Sequence, residues 1–138
     1  MEIDRLTGII IEAAMRVHSA LGPGLLEHVY KACLAHELRK FGLKVEVEVA
    51  LPVEYEGLRF DFAYRMNLVV EDAVVVELKS VENILPIHRA QLVSYLKLTG
   101  YPVGLLINFN SVHLRDGIRR IVNTKKELSS ASSASSAP

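Results

Sequence analysis

A single cysteine, Cys33, excludes an internal disulfide and points to a reducing compartment, the cytoplasm. No CxxC occurs, and His36-Glu37 lacks a second histidine at position 40, which removes zinc sites of standard spacing. No apolar run approaches the roughly 20 residues a membrane span needs, so no membrane partner is expected. Glu2 and Asp4 stand where a secretory leader would be basic, so no signal peptide is expected. Charge of either sign is also missing in excess: 16 Lys and Arg balance 16 Asp and Glu. Proteins that hold nucleic acid by bulk electrostatics are basic, so any positive surface here must be local. The best candidate is Arg115–Lys126, where Arg115, Arg119, Arg120, Lys125 and Lys126 face only Asp116. A solvated domain end explains such a cluster equally well. Nothing in the chain resembles a basic recognition helix, which weighs against a sequence-specific DNA-binding domain.

What is present is a chain of 138 residues, half of them hydrophobic, enough for one domain with a real core. Residues 1–123 carry the periodic patterns. Residues 124–138 form a low-complexity tail, and its end, SSASSASSAP, is expected to be disordered. Leu6, Ile9, Ile10, Ala13, Ala14 and Val17 recur at helical spacing over Asp4–Ala20, and Gly22-Pro23-Gly24 stops that helix. A second helix is expected from about Leu26 to Phe41. Its Glu27, Tyr30 and Leu34 lie on one stripe. Glu27 falls in the first turn, where the helix dipole favours a carboxylate, so spacing alone gives it no further role.

Lys44–Val53 alternates valines with Glu46 and Glu48, which predicts a half-exposed strand. A turn at Tyr55-Glu56-Gly57 leads to a strand over Leu58–Tyr64, followed by a hairpin over Met66–Lys79. A helix over Pro86–Thr99 carries His88, Gln91 and Tyr95 as a polar stripe. Val103–Phe109 reads as a buried strand reached by a parallel crossover, and Gly117–Val122 as a short last strand. The predicted order is α-α-β-β-β-β-α-β-β, an α/β domain with a mixed sheet and helices on both faces.

The hairpin MNLVVEDAVVVELK holds the chemistry. Val74, Val75, Val76 and Leu78 are apolar on both faces, so the second strand is expected to be central and buried. Glu77 inside it is costly, because a buried carboxylate loses several kcal/mol of hydration unless something compensates it. Residues 77 and 79 share a face at the strand period of two. A loop of Glu71, Asp72 and Ala73 sets Val70 against Val74 and brings Asn67 opposite Glu77. The expected outcome is Asn67, Glu77 and Lys79 on one face. A structural Glu–Lys pair at a sheet edge is the competing reading of the same residues.

Gly24-Leu-Leu-Glu27-His-Val-Tyr30, Tyr64–Val70, Val76-Glu77-Leu78-Lys79, Gln91–Leu96, Gly104–Phe109 and Asp116–Val122 together resemble the GxxExxY proteins, a branch of the PD-(D/E)xK nuclease superfamily. The resemblance spans residues 1 to about 123. It implies a restriction-endonuclease-like core and Mg²⁺- or Mn²⁺-dependent hydrolysis of phosphodiesters in nucleic acid, DNA before RNA, and leaves homo-oligomerisation open. It implies Glu77, Lys79 and Gln91 as catalytic residues, Glu27, Asn67 and Glu77 as metal ligands, and Tyr30, His88 and Tyr95 in support. One position departs from the pattern, since Asn67 stands where the superfamily has a carboxylate. A hard cation is held by one or two carboxylates, water and substrate phosphate, so Asn67 implies weaker metal binding. An activity weakened or lost and a deliberate inactivation both fit that change. The competing function is a nuclease fold kept as a binding or assembly module without catalysis.

Overall fold

A computed structural model describes residues 1–124, so residues 125–138, which hold Lys125, Lys126 and all but the first residue of the low-complexity tail, lie outside the described residues. Two helices lead the chain, α1 (Ile3–Leu21) and α2 (Glu27–Lys40). Strands β1 (Val45–Tyr55), β2 (Leu58–Val70) and β3 (Val74–Lys79) follow, then α3 (Pro86–Thr99), β4 (Val103–Asn108) and β5 (Ile118–Val122). The sheet order is β1-β2-β3-β4-β5, antiparallel throughout except for the β3–β4 pair. That parallel pair is joined by α3, the crossover the sequence predicted. The fold is an α/β, restriction-endonuclease-like core with a mixed sheet.

Helices cover both faces of the sheet. Leu6, Ile10, Ala13, Ala14 and Val17 of α1 pack with Tyr30, Leu34 and Leu38 of α2 against Val74, Val76, Leu78, Leu105 and Ile107. On the other face Leu92, Tyr95 and Leu96 of α3 pack against Val75, Leu106 and Ile121. Val74, Val75, Val76 and Leu78 are all fully buried, so β3 is central, as its two-sided apolar pattern required. Each such side chain contributes roughly 1.5–3 kcal/mol of burial free energy, which lets the strand carry one costly carboxylate. Gly104 of β4 makes the approach of α3 close. A Cβ there would lie 2.9 Å from the Leu92 side chain.

Two features differ from the sequence-based expectation. Three strands precede α3 rather than four, because β2 runs unbroken from Leu58 to Val70. No glycine or proline interrupts that stretch, so nothing ends the strand at Tyr64. The second difference is an arm. Residues 58–65 of β2 are exposed, and with the end of β1 they form a two-stranded ribbon that outruns β3. Glu56 (φ 46°) and Gly57 (φ 85°) close its tip, both in the left-handed region that a tight two-residue hairpin requires.

The β1–β2 ribbon also changes sides. Val45 and Leu68 belong to the core under α1 and α2, whereas Val49, Leu51 and Met66 pack on the α3 side. The switch falls at Glu48 and Asn67, where the recorded ladder passes from Val47↔Leu68 to Val49↔Met66. Glu48 sits there with φ 53°, a conformation costly for a residue with a Cβ.

Candidate active site

The loop Glu71-Asp72-Ala73 pairs Val70 with Val74, the register deduced from the sequence. The β2–β3 ladder then runs only to Leu68↔Val76. Beyond it, side chains replace the backbone bonds. The Asn67 N–H donates to Glu77 Oε1 at 3.0 Å, and the Leu78 N–H donates to Asn67 Oδ1 at 2.9 Å. The two strands part here, at the foot of the arm. The candidate site occupies the gap.

Glu77 is only 4% exposed. Burial pushes its carboxyl up to about 7, and the Glu27 and Glu48 carboxylates push the same way. The Asn67 N–H and the Lys79 charge oppose the shift without cancelling it. A carboxyl in this state lacks enough positive charge around it. Lys79 is half-exposed on the same face and opposes Asn108 of β4 in the parallel register.

Glu48 was not anticipated as a site residue. Its alternation with valines assigned it to the solvent face, yet it lies half-buried opposite Asn67. Lys31 of α2 pairs with its Oε1, and the Asn67 Nδ2 donates to the same oxygen at 3.4 Å. The network fixes the orientation of the Asn67 amide. Turning it over would set its oxygen against the Glu48 carboxylate and its NH₂ against the Leu78 N–H. Residue 67 therefore has to accept on one side and donate on the other. Asparagine does both, and an ionised aspartate only accepts.

The other expected residues divide. Glu27 opens α2 and reaches this region from the opposite layer. The Ser80 hydroxyl donates to the Leu25 carbonyl at 2.6 Å, tying the entry of α2 to the end of β3. Tyr95 is buried on α3, its ring 6.1 Å from that of Tyr64, and its hydroxyl is pushed up to about 12 by burial, then by Glu77, Tyr64 and Glu48. It stays protonated at neutral pH and can only donate or accept a hydrogen bond. Gln91 lies half-buried one turn before Tyr95. Tyr30 faces elsewhere. Its hydroxyl donates to the Gly22 carbonyl at 2.5 Å, accepts from the Leu25 N–H at 3.0 Å, and its ring stacks on Phe109 at 4.6 Å. Tyr30 shapes the loop that delivers Glu27. His88 Nδ1 accepts the Leu85 N–H at 3.0 Å, which commits that imidazole to the start of α3.

Asn108, also not anticipated, is 3% exposed and holds the loop after β3. It accepts from the Val81 N–H at 3.1 Å and donates to the Val81 carbonyl at 2.9 Å. A polar residue ending the apolar run of β4 was the available signal.

Among the described residues, no three His, Cys, Asp or Glu side chains converge closely enough to enclose a metal ion. The Asn67 carbonyl already accepts a backbone N–H. These donors do not fit a cation caged by protein. They do fit a hard divalent cation that keeps most of its water, since such an ion asks for one or two carboxylates and Glu77 lacks neutralising charge.

Among the described residues no helix is long and apolar enough to cross a membrane. No curated protein and no solved structure matches the chain. A family model described as the PD-(D/E)XK nuclease superfamily matches residues 4–121. Members of that superfamily act on nucleic acid, generally with divalent metal ions. The match covers most of the chain, and the chain belongs to the PD-(D/E)XK nuclease superfamily.

Proposed function

We propose that this protein is a divalent-cation-dependent phosphodiesterase of the GxxExxY branch that hydrolyses nucleic acid, DNA in preference to RNA. The observation that carries the reading is Glu77, a carboxyl buried where the strands part and short of positive charge. Mg²⁺ or Mn²⁺ would be held by Glu77 with Glu27 and Asn67, beside the Glu48 carboxylate that Lys31 already pairs. Bound there, the cation supplies a more acidic water and neutralises charge on the scissile phosphate.

The chain's own groups do the rest. Lys79 places an ammonium beside the developing anion, a contribution that grows in a site shielded from water. Tyr95 offers a hydroxyl that does not ionise near neutral pH, and Gln91 orients substrate or water from the same helix. Tyr30 acts at one remove by setting the loop before Glu27.

Cleavage of labelled DNA and RNA with and without Mg²⁺, with Glu77→Gln as control, tests the assignment. Cation-dependent cleavage that falls by about 100-fold or more in the variant supports it. Cleavage unchanged in Glu77→Gln places the activity elsewhere. A second reading, a nuclease fold retained for binding or assembly, is favoured by the hydrogen bonds that already occupy Asn67. It predicts no heat of Mg²⁺ binding and no cleavage even when Asn67→Asp is combined with Glu48→Gln.

A further inference from the structure

The arm presents an apolar face that this chain leaves uncovered. Register places Val53 beside Phe60 and Tyr55 beside Leu58 on one face, while Glu54 and Arg59 share the other. Leu51 and Tyr64 continue the apolar row inward, and Leu51 is buried on the α3 side. Beyond α3 the row is bare: Tyr55 is 65% exposed, Leu58 60%, Phe60 51% and Phe62 74%. At about 200 Å² per large side chain, these four with Tyr64 offer on the order of 600 Å² of mostly apolar surface. That is at the top of what a soluble monomer tolerates, and close to the roughly 800 Å² per partner of a specific interface. The opposite face is already settled, since Arg59 pairs with Asp61 and Glu54. A two-stranded ribbon is at best marginally stable alone, so an arm this long calls for a second layer.

The charges on the arm choose the occupant. Along the arm three carboxylates, Glu54, Glu56 and Asp61, stand against two guanidiniums, Arg59 and Arg65, and strand alternation puts both arginines on the face opposite the aromatic row. No cation stands in the aromatic row to hold a nucleic-acid backbone. A covering surface must therefore be apolar. A second copy of this chain carries such a surface, and a chain of zero net charge meets its own copy without long-range repulsion.

We infer that the β1–β2 arm is a dimerisation element, packing its Tyr55, Leu58, Phe60 and Phe62 face against the same face of a second copy about a two-fold axis. The contact is isologous, so the assembly closes at two and does not run on into fibres. Sheet-on-sheet packing of this kind sets the layers about 10 Å apart with side chains interleaved.

Sedimentation equilibrium of the full chain over a wide concentration range tests the inference, alongside Phe62→Asp and the milder Phe62→Ser. Both replacements sit on a side chain exposed in the single chain, so far-UV circular dichroism should be unchanged. The expected result is a dimer for the unaltered chain, with dissociation at least about tenfold easier in either variant. An unaltered chain that stays monomeric overturns the inference, and so does a dimer indifferent to both variants. A monomer whose Phe62→Ser form loses affinity for a fluorescent single-stranded oligonucleotide would instead make the arm a nucleic-acid platform. Cleavage assays report separately on Glu77, so failure of the dimer leaves the nuclease assignment standing.

Discussion

At the residue scale the fold tolerates one group against its own stability. Glu77 keeps a carboxyl that burial and two acidic neighbours hold up to about 7, against 4.5 for the ordinary side chain. The folded state therefore binds this proton more tightly than the unfolded state. The penalty is fully present above the folded pKa and disappears as pH falls below the unfolded one. The metal-free protein should thus gain stability from this group between pH 7 and pH 4.5, on the order of 2–3 kcal/mol. Glu77→Gln should remove that slope and be the more stable form at pH 8 by a similar amount, read by urea denaturation in chelator. A variant that unfolds with the same pH profile as the parent would assign the slope to other groups.

Asn67 belongs to the same scale. It donates to Glu48 and accepts from Leu78, so Asn67→Asp alone sets two carboxylates face to face at about the 3.4 Å of the present contact. The expected cost is about 1–3 kcal/mol. Adding Glu48→Gln restores a donor opposite residue 67 and should recover most of the loss, a coupling that a double-mutant cycle measures directly. Additive effects would mean that the two side chains do not sense each other. Asn67 thus has a partner in Glu48, which takes one hydrogen bond from its amide and an ion pair from Lys31.

At the scale of elements, β3 and the crossover were legible because their signals are local. An apolar run with one acid inside, a three-residue loop, a proline at the start of a helix and a glycine after it each act within a few residues. The Asn67–Glu77 pairing followed from loop length alone. Glu48 was not legible, and Pro52 marks the reason. The tip pairs Tyr55 with Leu58, and counting back from there sets Glu46 opposite Asn67. Between Leu51 and Val53 the register shifts, with Leu51↔Tyr64 and Val53↔Phe60, so Glu48 takes that place instead. A bulge displaces every pairing beyond it, and neither its presence nor its size follows from alternation. Tyr30 and His88 turn their polar atoms to neighbouring backbone, which the sequence did not disclose for a related cause. Helical spacing puts a residue on a stripe but does not say whether its polar atom turns to the site or to the neighbouring backbone.

The seating of α3 gives a prediction at this scale. Gly104→Ala places a methyl 2.9 Å from Leu92 and should lift the helix off β4, costing about 1–3 kcal/mol. Gly117 is tighter, since a Cβ there would meet the Asn108 carbonyl oxygen at 2.7 Å, and backbone yields less readily than a leucine side chain. Gly117→Ala should therefore cost more than Gly104→Ala in the same thermal unfolding assay. The reverse order would mean that β4 and the turn before β5 are looser than their contacts indicate.

At the scale of the molecule, the charge balance, the split hairpin and the arm serve one arrangement. A neutral chain cannot gather nucleic acid by bulk attraction, so on the proposed function recognition would rest on local groups and on a cation that Glu77 would help to hold. The sheet holds the acid rigidly, the helices bring Glu27 and Tyr95 from opposite layers, and the arm extends the α3 face past the site. The central claim is that Glu77 is buried for the sake of a divalent cation. Carboxyl-carbon NMR of Glu77 followed through a pH titration, without and with Mg²⁺, tests it most directly. The account predicts a titration near 7 in chelator that moves down by a unit or more when Mg²⁺ is added. A Glu77 carboxyl that titrates near 4.5, or one whose raised value ignores Mg²⁺, would contradict it.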